Sequence, residues 1–145
     1  MKKGDFAAYR LGWVPWYNVL KMYGGLRDAW LYAGNGEAKT LFLRFCDWAI
    51  DVTAGLSEEQ MQSMLDMEHG GMNESLADAY QMTGDKKYLT AAERFSHKML
   101  LVPMSQGKDN LDNKHANTQV PKAIGFERVG ELSGKPEYLN AGRFF

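Results

Sequence analysis

Apolar residues recur at intervals of three and four along most of this chain, which is the spacing of amphipathic helices. The six helices that this spacing predicts cover about residues 18–32, 41–55, 58–65, 72–82, 86–100 and 121–132. No stretch alternates between apolar and polar residues over the length of a strand, so we predict none. The chain is therefore predicted to be all-α, with a polar, non-periodic segment over residues 101–118.

Local signals support several of these helix ends. Ser57 is followed three residues later by Gln60, which is the spacing of a capping box. Asp85 has a side chain suited to capping the N-terminus of the fifth helix. Pro103 is predicted to end that helix, and Pro121 is predicted to open the sixth, since proline is tolerated in a first turn.

Three stretches of the chain repeat in one register, spaced by 50 residues: Leu26–Phe45, Leu76–Phe95 and Phe126–Phe145. The glycines that align in them are Gly34, Gly84 and Gly134, each placed to close a helix in the left-handed conformation. A fixed period of this kind indicates one supersecondary unit used several times. We predict a helical hairpin, present as three repeats over about residues 16–55, 66–102 and 116–145.

The length of the period limits the architecture. Tetratricopeptide repeats span about 34 residues and HEAT repeats about 40–47, so neither fits well. Hairpins of this length suit a closed toroid, in which inner helices alternate with outer ones, but an open solenoid remains an alternative. The third copy stops at Phe145, whereas the earlier copies continue, so we expect an incomplete toroid segment.

Composition excludes several classes of function. Apolar residues make up 45% of the chain and charged residues 24%, as in ordinary globular proteins. A net charge of −1 argues against nucleic acid or an anionic membrane as a partner. No apolar run approaches the ~20 residues that span a bilayer. Cys46 is the single cysteine, which rules out an intrachain disulfide and a zinc site built from cysteines. No signal peptide is visible, and the compartment stays undetermined.

The 50-residue offset also aligns three clusters that carry candidate chemistry. The clusters are Trp16–Val19, Asp66–His69 and Ala116–Gln119. Each of them lies just before or at the start of the first helix of a hairpin. Because equivalent ends of equivalent hairpins meet at one rim, we expect these clusters to lie close together. Loops held at one end of a rigid scaffold are frequent sites of function. The free N–H groups of helix starts add donors suited to hydroxyl or anionic ligands.

At these clusters the sequence resembles a known family. The stretches GWVPWYN (Gly12–Asn18), EHGGMNESLADAYQMTGDKKYL (Glu68–Leu89) and HANTQVPKAIG (His115–Gly125) are similar to signature stretches of glycoside hydrolase family 127, the β-L-arabinofuranosidase-like enzymes. The resemblance covers nearly the whole chain. One departure is that Leu20 stands where the family often has histidine, which affects the expected details of substrate recognition.

The resemblance implies about half of an (α/α)6 toroid, from a bacterial-type glycoside hydrolase with a furanose sugar in its rim cleft. Such enzymes use a cysteine thiolate nucleophile near a zinc ion that further cysteines and a glutamate hold. Those residues lie C-terminal to the matched region, so we expect no catalytic residue and no metal ligand in this segment. We expect the segment to be inactive alone, and the rest of a parent chain to pack on its exposed helices.

The side chains that we expect to bind a carbohydrate substrate are Trp16, Glu68, His69, Asn73, His115, Asn117 and Gln119. Each also has a structural interpretation. The aromatic residues could be core, the amides and histidines could brace loops, and the carboxylates of Glu68 and Glu74 could complement helix dipoles. His97 follows an apolar stripe and is predicted to be structural. Gly70 and Gly71 are predicted to permit a tight turn.

Two other classes of function remain open from the sequence. An open helical-repeat binding module would present a concave protein-binding face and would need no cluster of polar residues at one rim. A toroidal sugar epimerase would need acid and base histidines that face each other across a cavity. The positions of the three clusters, and of His69 and His115 in particular, separate these alternatives.

Overall fold

The computed structural model describes residues 14–145, and this part of the chain is helical with no strand. Its helices are α1 (Pro15–Ala33), α2 (Gly36–Thr53), α3 (Glu58–Met67), α4 (Met72–Thr83), α5 (Lys86–Arg94), α6 (Lys98–Ser105), α7 (Ala116–Ser133) and α8 (Pro136–Phe144). The prediction of an all-α fold is confirmed. None of the helices described combines the length and the apolar character that a bilayer span requires.

The helices form hairpins that stand side by side. α1 packs on α2, α4 on α5, and α7 on α8. The first helices of the three hairpins are neighbours, because α4 contacts both α1 and α7. This arrangement, with α4 in the middle of an inner layer, is consistent with part of an α/α toroid.

The repeated glycines end the first helix of each hairpin as predicted. Gly34, Gly84 and Gly134 all have φ near +70°, and the N–H of each donates to a carbonyl four residues earlier. A residue with a Cβ is disfavoured in this left-handed conformation, which explains why glycine returns at this point of every copy. The capping box of Ser57 with Gln60 and the cap at Asp85 are also confirmed.

The repeat also places the core. Leu76 and Phe126, which align, are fully buried, and so are Ala91 and Ala141 to within a few per cent. These side chains belong to a single hydrophobic cluster that runs through all three hairpins. The fold is therefore stabilised by the same apolar positions in successive copies.

Ion pairs join the three inner helices to one another. The guanidinium of Arg27 on α1 contacts Glu74 at 3.0 Å and Asp78 at 2.7 Å, both on α4. Arg128 on α7 contacts the second oxygen of Asp78 at 2.8 Å. Asp78 thus accepts from both neighbouring helices, and Glu74 is engaged in this network.

The prediction of one helix over residues 86–100 was wrong. α5 ends at Arg94 and α6 begins at Lys98, with a sharp corner between them. The hydroxyl of Ser96 bonds back to the Ala92 carbonyl, and the side chain of Gln62 accepts from the Lys98 N–H and donates to the Ser96 carbonyl. Side-chain contacts from α3 therefore replace the helical hydrogen bonds at this corner, which the local pattern of apolar residues does not reveal.

The two prolines also lie differently from the prediction. Pro103 is inside α6, which extends to Ser105, so the irregular segment is shorter than predicted. Pro121 does not open α7, because the helix begins five residues earlier at Ala116. The N–H groups of Thr118 and Gln119 both bond to the His115 carbonyl, and this first turn forms ahead of the proline.

Candidate functional site

The N-terminal ends of α1, α4 and α7 meet at one end of the hairpins, and the three predicted clusters converge there. The rings of Tyr17 and His69 lie 4.2 Å apart between centroids, and those of His69 and His115 lie 6.4 Å apart. The Nε2 atom of His69 is 3.4 Å from the Thr118 hydroxyl. We call the loop over residues 68–71, which joins α3 to α4, the rim loop.

Glycine is required at two successive positions of the rim loop, for different reasons. A Cβ at Gly70 would lie 2.2 Å from the backbone nitrogen of Lys122, and the Gly70 N–H donates to the Thr118 carbonyl at 3.1 Å. Gly71 has φ +120°, which L-residues rarely adopt. The pair therefore allows both the turn and close contact with α7.

Glu68 caps α1 from the rim loop. Its two carboxylate oxygens accept from the N–H groups of Trp16 and Tyr17, each at 3.3 Å. The cap residue of that helix, Val14, has φ +42° and offers no side-chain acceptor, although its carbonyl accepts from the Tyr17 N–H at 3.1 Å. Glu68 therefore supplies the side-chain cap for the first turn of α1. Burial raises the pKa of Glu68 to about 7, against the opposing effects of the two N–H donors and Lys122.

This environment predicts a specific pH dependence for Glu68→Gln. Between about pH 4.5 and pH 7 the folded state still holds the Glu68 proton, whereas the unfolded state has released it, because the pKa is raised only in the folded state. The stability from the protonated form is present below pH 4.5 and is lost as the pH rises through 7. We expect the free energy of unfolding of Glu68→Gln to equal that of the wild type at pH 4.5 and to be about 2–3 kcal/mol higher at pH 8.

Urea unfolding at several pH values measures this difference. His97 contributes in the opposite direction, since burial lowers its pKa to about 4 and stability from this group is lost as the pH falls below 6.5 towards 4. His97 makes the same contribution to the free energy of unfolding of the variant and of the wild type, so this contribution cancels when the two are compared. A constant difference between the variant and the wild type from pH 4.5 to 8 would contradict the role given to Glu68.

Trp16 lies in the core under the rim. Its side chain is 1% exposed, and its indole N–H donates to the sulfur of Met64 at 3.1 Å. The rings of Trp48 and Phe95 pack against it at 5.6 Å and 5.0 Å between centroids. The aromatic ring that the first cluster presents at the rim is therefore that of Tyr17. Trp13, another candidate for stacking on a sugar, lies outside the described residues.

Asn73 and Gln119 are also buried. The Asn73 amide donates to the Lys122 carbonyl at 3.2 Å and fits against Gly125, where a Cβ would overlap it. Gln119 is 7% exposed, and its Oε1 atom has no hydrogen-bond partner in the part of the chain described. His115 and Asn117 are exposed, and His69 is partly exposed. Three of the seven predicted residues are thus accessible at the rim.

A groove of about 300 Å³ runs between the N-terminal ends of α1 and α7. The residues that line it are Tyr17, Leu20, Lys21, Gly70, Asn117, Val120 and Pro121. The Lys21 ammonium lies over the Tyr17 ring, 4.9 Å from its centroid. The groove therefore combines an aromatic face, an amide and a cation, next to the two histidines.

His69 is held in the neutral form near pH 7. Burial lowers its pKa, and the nearby charges of His115, Lys122 and Lys21 lower it further. Its Nδ1 atom is buried and has no partner among the described residues. A neutral imidazole offers one donor and one acceptor, so His69 can take part in hydrogen bonds of either sense with a hydroxyl group.

Lys122, which is not among the residues predicted from sequence, lies directly beneath the rim loop. It is 3% exposed, and its ammonium donates to the Leu65 carbonyl at 2.8 Å. The repeat contains a signal that could have found it, because Lys122 aligns with Met22 and Met72. A lysine at a position occupied by methionine in two other copies indicates a special environment.

The described residues do not fit the zinc site that the resemblance implies. Among residues 14–145, no three His, Cys, Asp or Glu side chains are grouped closely enough to hold a metal ion. Cys46 is fully buried in the hydrophobic core, and burial raises the pKa of its thiol. Neither a metal-bound step nor a thiolate step can be assigned to these residues.

One family model matches almost the whole chain. The chain matches the family model described as β-L-arabinofuranosidase, GH127 catalytic domain, over residues 2–145. No curated protein matches the chain. Since the matched region extends over almost all of the sequence, the chain belongs to the glycoside hydrolase 127 β-L-arabinofuranosidase catalytic-domain family.

Proposed function

We propose that this chain supplies sugar-binding side chains of a glycoside hydrolase that cleaves β-L-arabinofuranosyl or similar linkages. The observation that carries the proposal is that Tyr17 and Asn117 line one groove and that His69 and His115 lie beside the Tyr17 ring in sequence of contact, His69 against Tyr17 and His115 against His69. An open binding module would need no such convergence. Family membership supports glycoside hydrolysis as the reaction class.

The groups at the groove suit a small, polyhydroxylated ring. The neutral imidazole of His69 and the Asn117 amide each combine donor and acceptor capacity, which matches the dual character of sugar hydroxyls. The Tyr17 ring adds an apolar face for the C–H side of a sugar. The volume of about 300 Å³ corresponds to the lower end of ligand pockets, as expected for a single sugar unit.

The roles of the remaining predicted residues follow from their burial. Glu68, Asn73 and Trp16 hold the rim loop, α7 and α1 in place. They affect sugar binding indirectly, because they set the positions of the exposed side chains. The nucleophile and the metal ligands would come from a further part of a parent chain, which would pack against exposed apolar side chains such as Val120 and Ile124 on α7. The 145-residue chain alone is then expected to release no arabinose.

A binding experiment tests this function. Methyl β-L-arabinofuranoside, titrated into the 145-residue chain and followed by NMR, is expected to shift the signals of the two rim histidines in a saturable manner. Loss of a hydrogen-bonding group changes affinity by about 1 kcal/mol, so His115→Ala and Asn117→Ala should each weaken binding roughly five- to tenfold. Asn140→Ala, at an exposed position of α8, is the matched control.

The possible outcomes separate the alternatives. Absence of saturable shifts, or equal affinity of Asn117→Ala and Asn140→Ala, would contradict the proposed role of the groove. Interconversion of sugar epimers during the incubation would instead support an epimerase, with His69 and His115 as the acid–base pair. Release of arabinose by the purified chain would show that the nucleophile lies within it.

A further inference from the structure

A chain of three titratable side chains runs beneath the rim and is used by none of the roles above. The Lys122 ammonium lies 3.0 Å from Nδ1 of His97, and Nε2 of His97 lies 2.8 Å from the Asp66 carboxylate. Lys122 and His97 are each 3% exposed, whereas Asp66 reaches the surface. We call this chain the Lys122–His97–Asp66 relay.

The direction of the hydrogen bonds follows from the donor inventory. An ammonium group can only donate, so Nδ1 of His97 accepts from Lys122. The imidazole proton is then on Nε2 and is donated to Asp66. Burial, and next the positive charge of Lys122, lower the pKa of His97 to about 4, so this ring is neutral over the physiological range.

The hydrogen bonds of the Lys122–His97–Asp66 relay connect three parts of the fold that surround the rim loop. Asp66 and the Leu65 carbonyl belong to the end of α3, His97 forms the corner between α5 and α6, and Lys122 belongs to α7. His69 follows Asp66 by three residues. The side chain of Lys122 therefore holds the segment that enters the rim loop, while its backbone lies directly against Gly70.

We propose that the Lys122–His97–Asp66 relay is a positioning unit for His69. Lys122 anchors the start of the rim loop to α7, the helix whose N-cap residue is His115, and so sets the separation of the two imidazoles. Its buried positive charge also adds to the effects of burial and of His115, which lower the pKa of His69. The consequence for sugar affinity rests on the proposed function, whereas the effects on the histidines do not.

Several charged groups act on Lys122 and enter any pH dependence. Burial lowers the pKa of Lys122 to about 8; the charges of Asp66 and Glu68 act to raise it, and Lys114, from the loop before α7, acts to lower it. His97 faces the ammonium directly and is already neutral in this range. Loss of the Lys122 proton is therefore the event expected near pH 8 in the relay.

The first test uses the unmodified chain. It has only three histidines, so ¹³C and ¹⁵N spectra of the imidazoles are simple to assign. We expect the ¹⁵N shifts of His97 to show the Nε2–H tautomer at pH 7, and the His97 and His69 signals to show a step near pH 8 as Lys122 deprotonates. The opposite tautomer, or no step in either signal between pH 7 and pH 9, would overturn the proposal.

The second test is Lys122→Met, which keeps an unbranched side chain one atom shorter and removes its charge and donors. We expect the pKa of His69 and that of His97 to rise towards ordinary values, and the dissociation constant for methyl β-L-arabinofuranoside to increase about tenfold. The control is Lys86→Met, at an exposed position of α5, which should change neither.

A purely structural lysine would lower stability without moving the titration of His69. A folded Lys122→Met protein with unchanged His69 and His97 titrations would therefore refute the positioning role. If the variant does not fold, the step near pH 8 in the unmodified chain decides the question. If no sugar binds to any form while the histidine pKa values shift as expected, the positioning role stands and the proposed function fails.

Discussion

Replacement of Trp16 by alanine is expected to lower the free energy of unfolding by about 3–5 kcal/mol, the usual range for removal of a fully buried large aromatic side chain. The indole is 1% exposed and packs between the rings of Trp48 and Phe95. Its removal would leave a cavity beneath the rim and would also leave Met64 without the indole N–H.

Urea unfolding measures this loss, and Trp30→Ala provides a matched control. Trp30 lies on the same helix but is only half-buried, so its removal should cost about 1 kcal/mol. Trp16→Phe, which keeps much of the packing, should fold and bind the sugar with an affinity close to that of the wild type. If Trp16→Ala costs no more than Trp30→Ala, or if Trp16→Phe abolishes binding in a stable protein, Trp16 is not the core residue described above.

Gly70→Ala is the second substitution with a large expected effect. The new Cβ would lie 2.2 Å from the Lys122 nitrogen and 2.6 Å from the Pro121 carbonyl carbon, and both atoms belong to the backbone of α7. A helix backbone cannot yield as a flexible side chain can. We expect a loss of about 3 kcal/mol in stability, at the upper end of overpacking effects. His69 should move away from His115, with a loss of sugar affinity.

Gly24→Ala is the control for this substitution. Gly24 lies inside α1, and a Cβ there would meet no atom within 4 Å. Alanine at such a helical position is expected to raise stability by about 0.5–1 kcal/mol. Thermal and urea unfolding of both variants, with the histidine spectra, give the comparison. A neutral or stabilising effect of Gly70→Ala would contradict the close contact between the rim loop and α7.

Together these variants separate two groups of residues at the rim. Trp16, Glu68, Asn73 and Gly70 are predicted to affect the sugar mainly through the stability and position of the scaffold. His115 and Asn117 are predicted to affect affinity at nearly constant stability, because their side chains are exposed. Measurement of stability and affinity on the same proteins therefore tests the assignment of each residue.

The repeat made the fold predictable to a large extent. Apolar spacing located most of the helices, and glycine at the same place in each copy located the end of the first helix of each hairpin, because helix periodicity and left-handed caps depend on neighbouring residues. The corner between α5 and α6 could not be predicted in this way. It depends on Gln62, which is more than thirty residues away in sequence and replaces the helical hydrogen bonds of Ser96 and Lys98.

The candidate site was predictable in its location but not in the roles of its residues. A 50-residue offset was sufficient to expect that the segments around Trp16, His69 and Asn117 share one rim. Residue type did not show which of them face solvent. Trp16 and Glu68 are both suited to bind sugars, but the Trp16 indole packs against Trp48 and Phe95, and the Glu68 carboxylate caps α1.

The amino-acid sequence by itself therefore determined the all-α hairpin architecture, the positions of the turns and the family to which the chain belongs, since all of these depend on local pattern and on repetition. The tertiary structure alone decided which polar groups are accessible and which are enclosed. Lys122 shows the reason most clearly. Its partners, Leu65 and His97, are distant in sequence, and only the packing of α3, the α5–α6 corner and α7 brings them to one buried point.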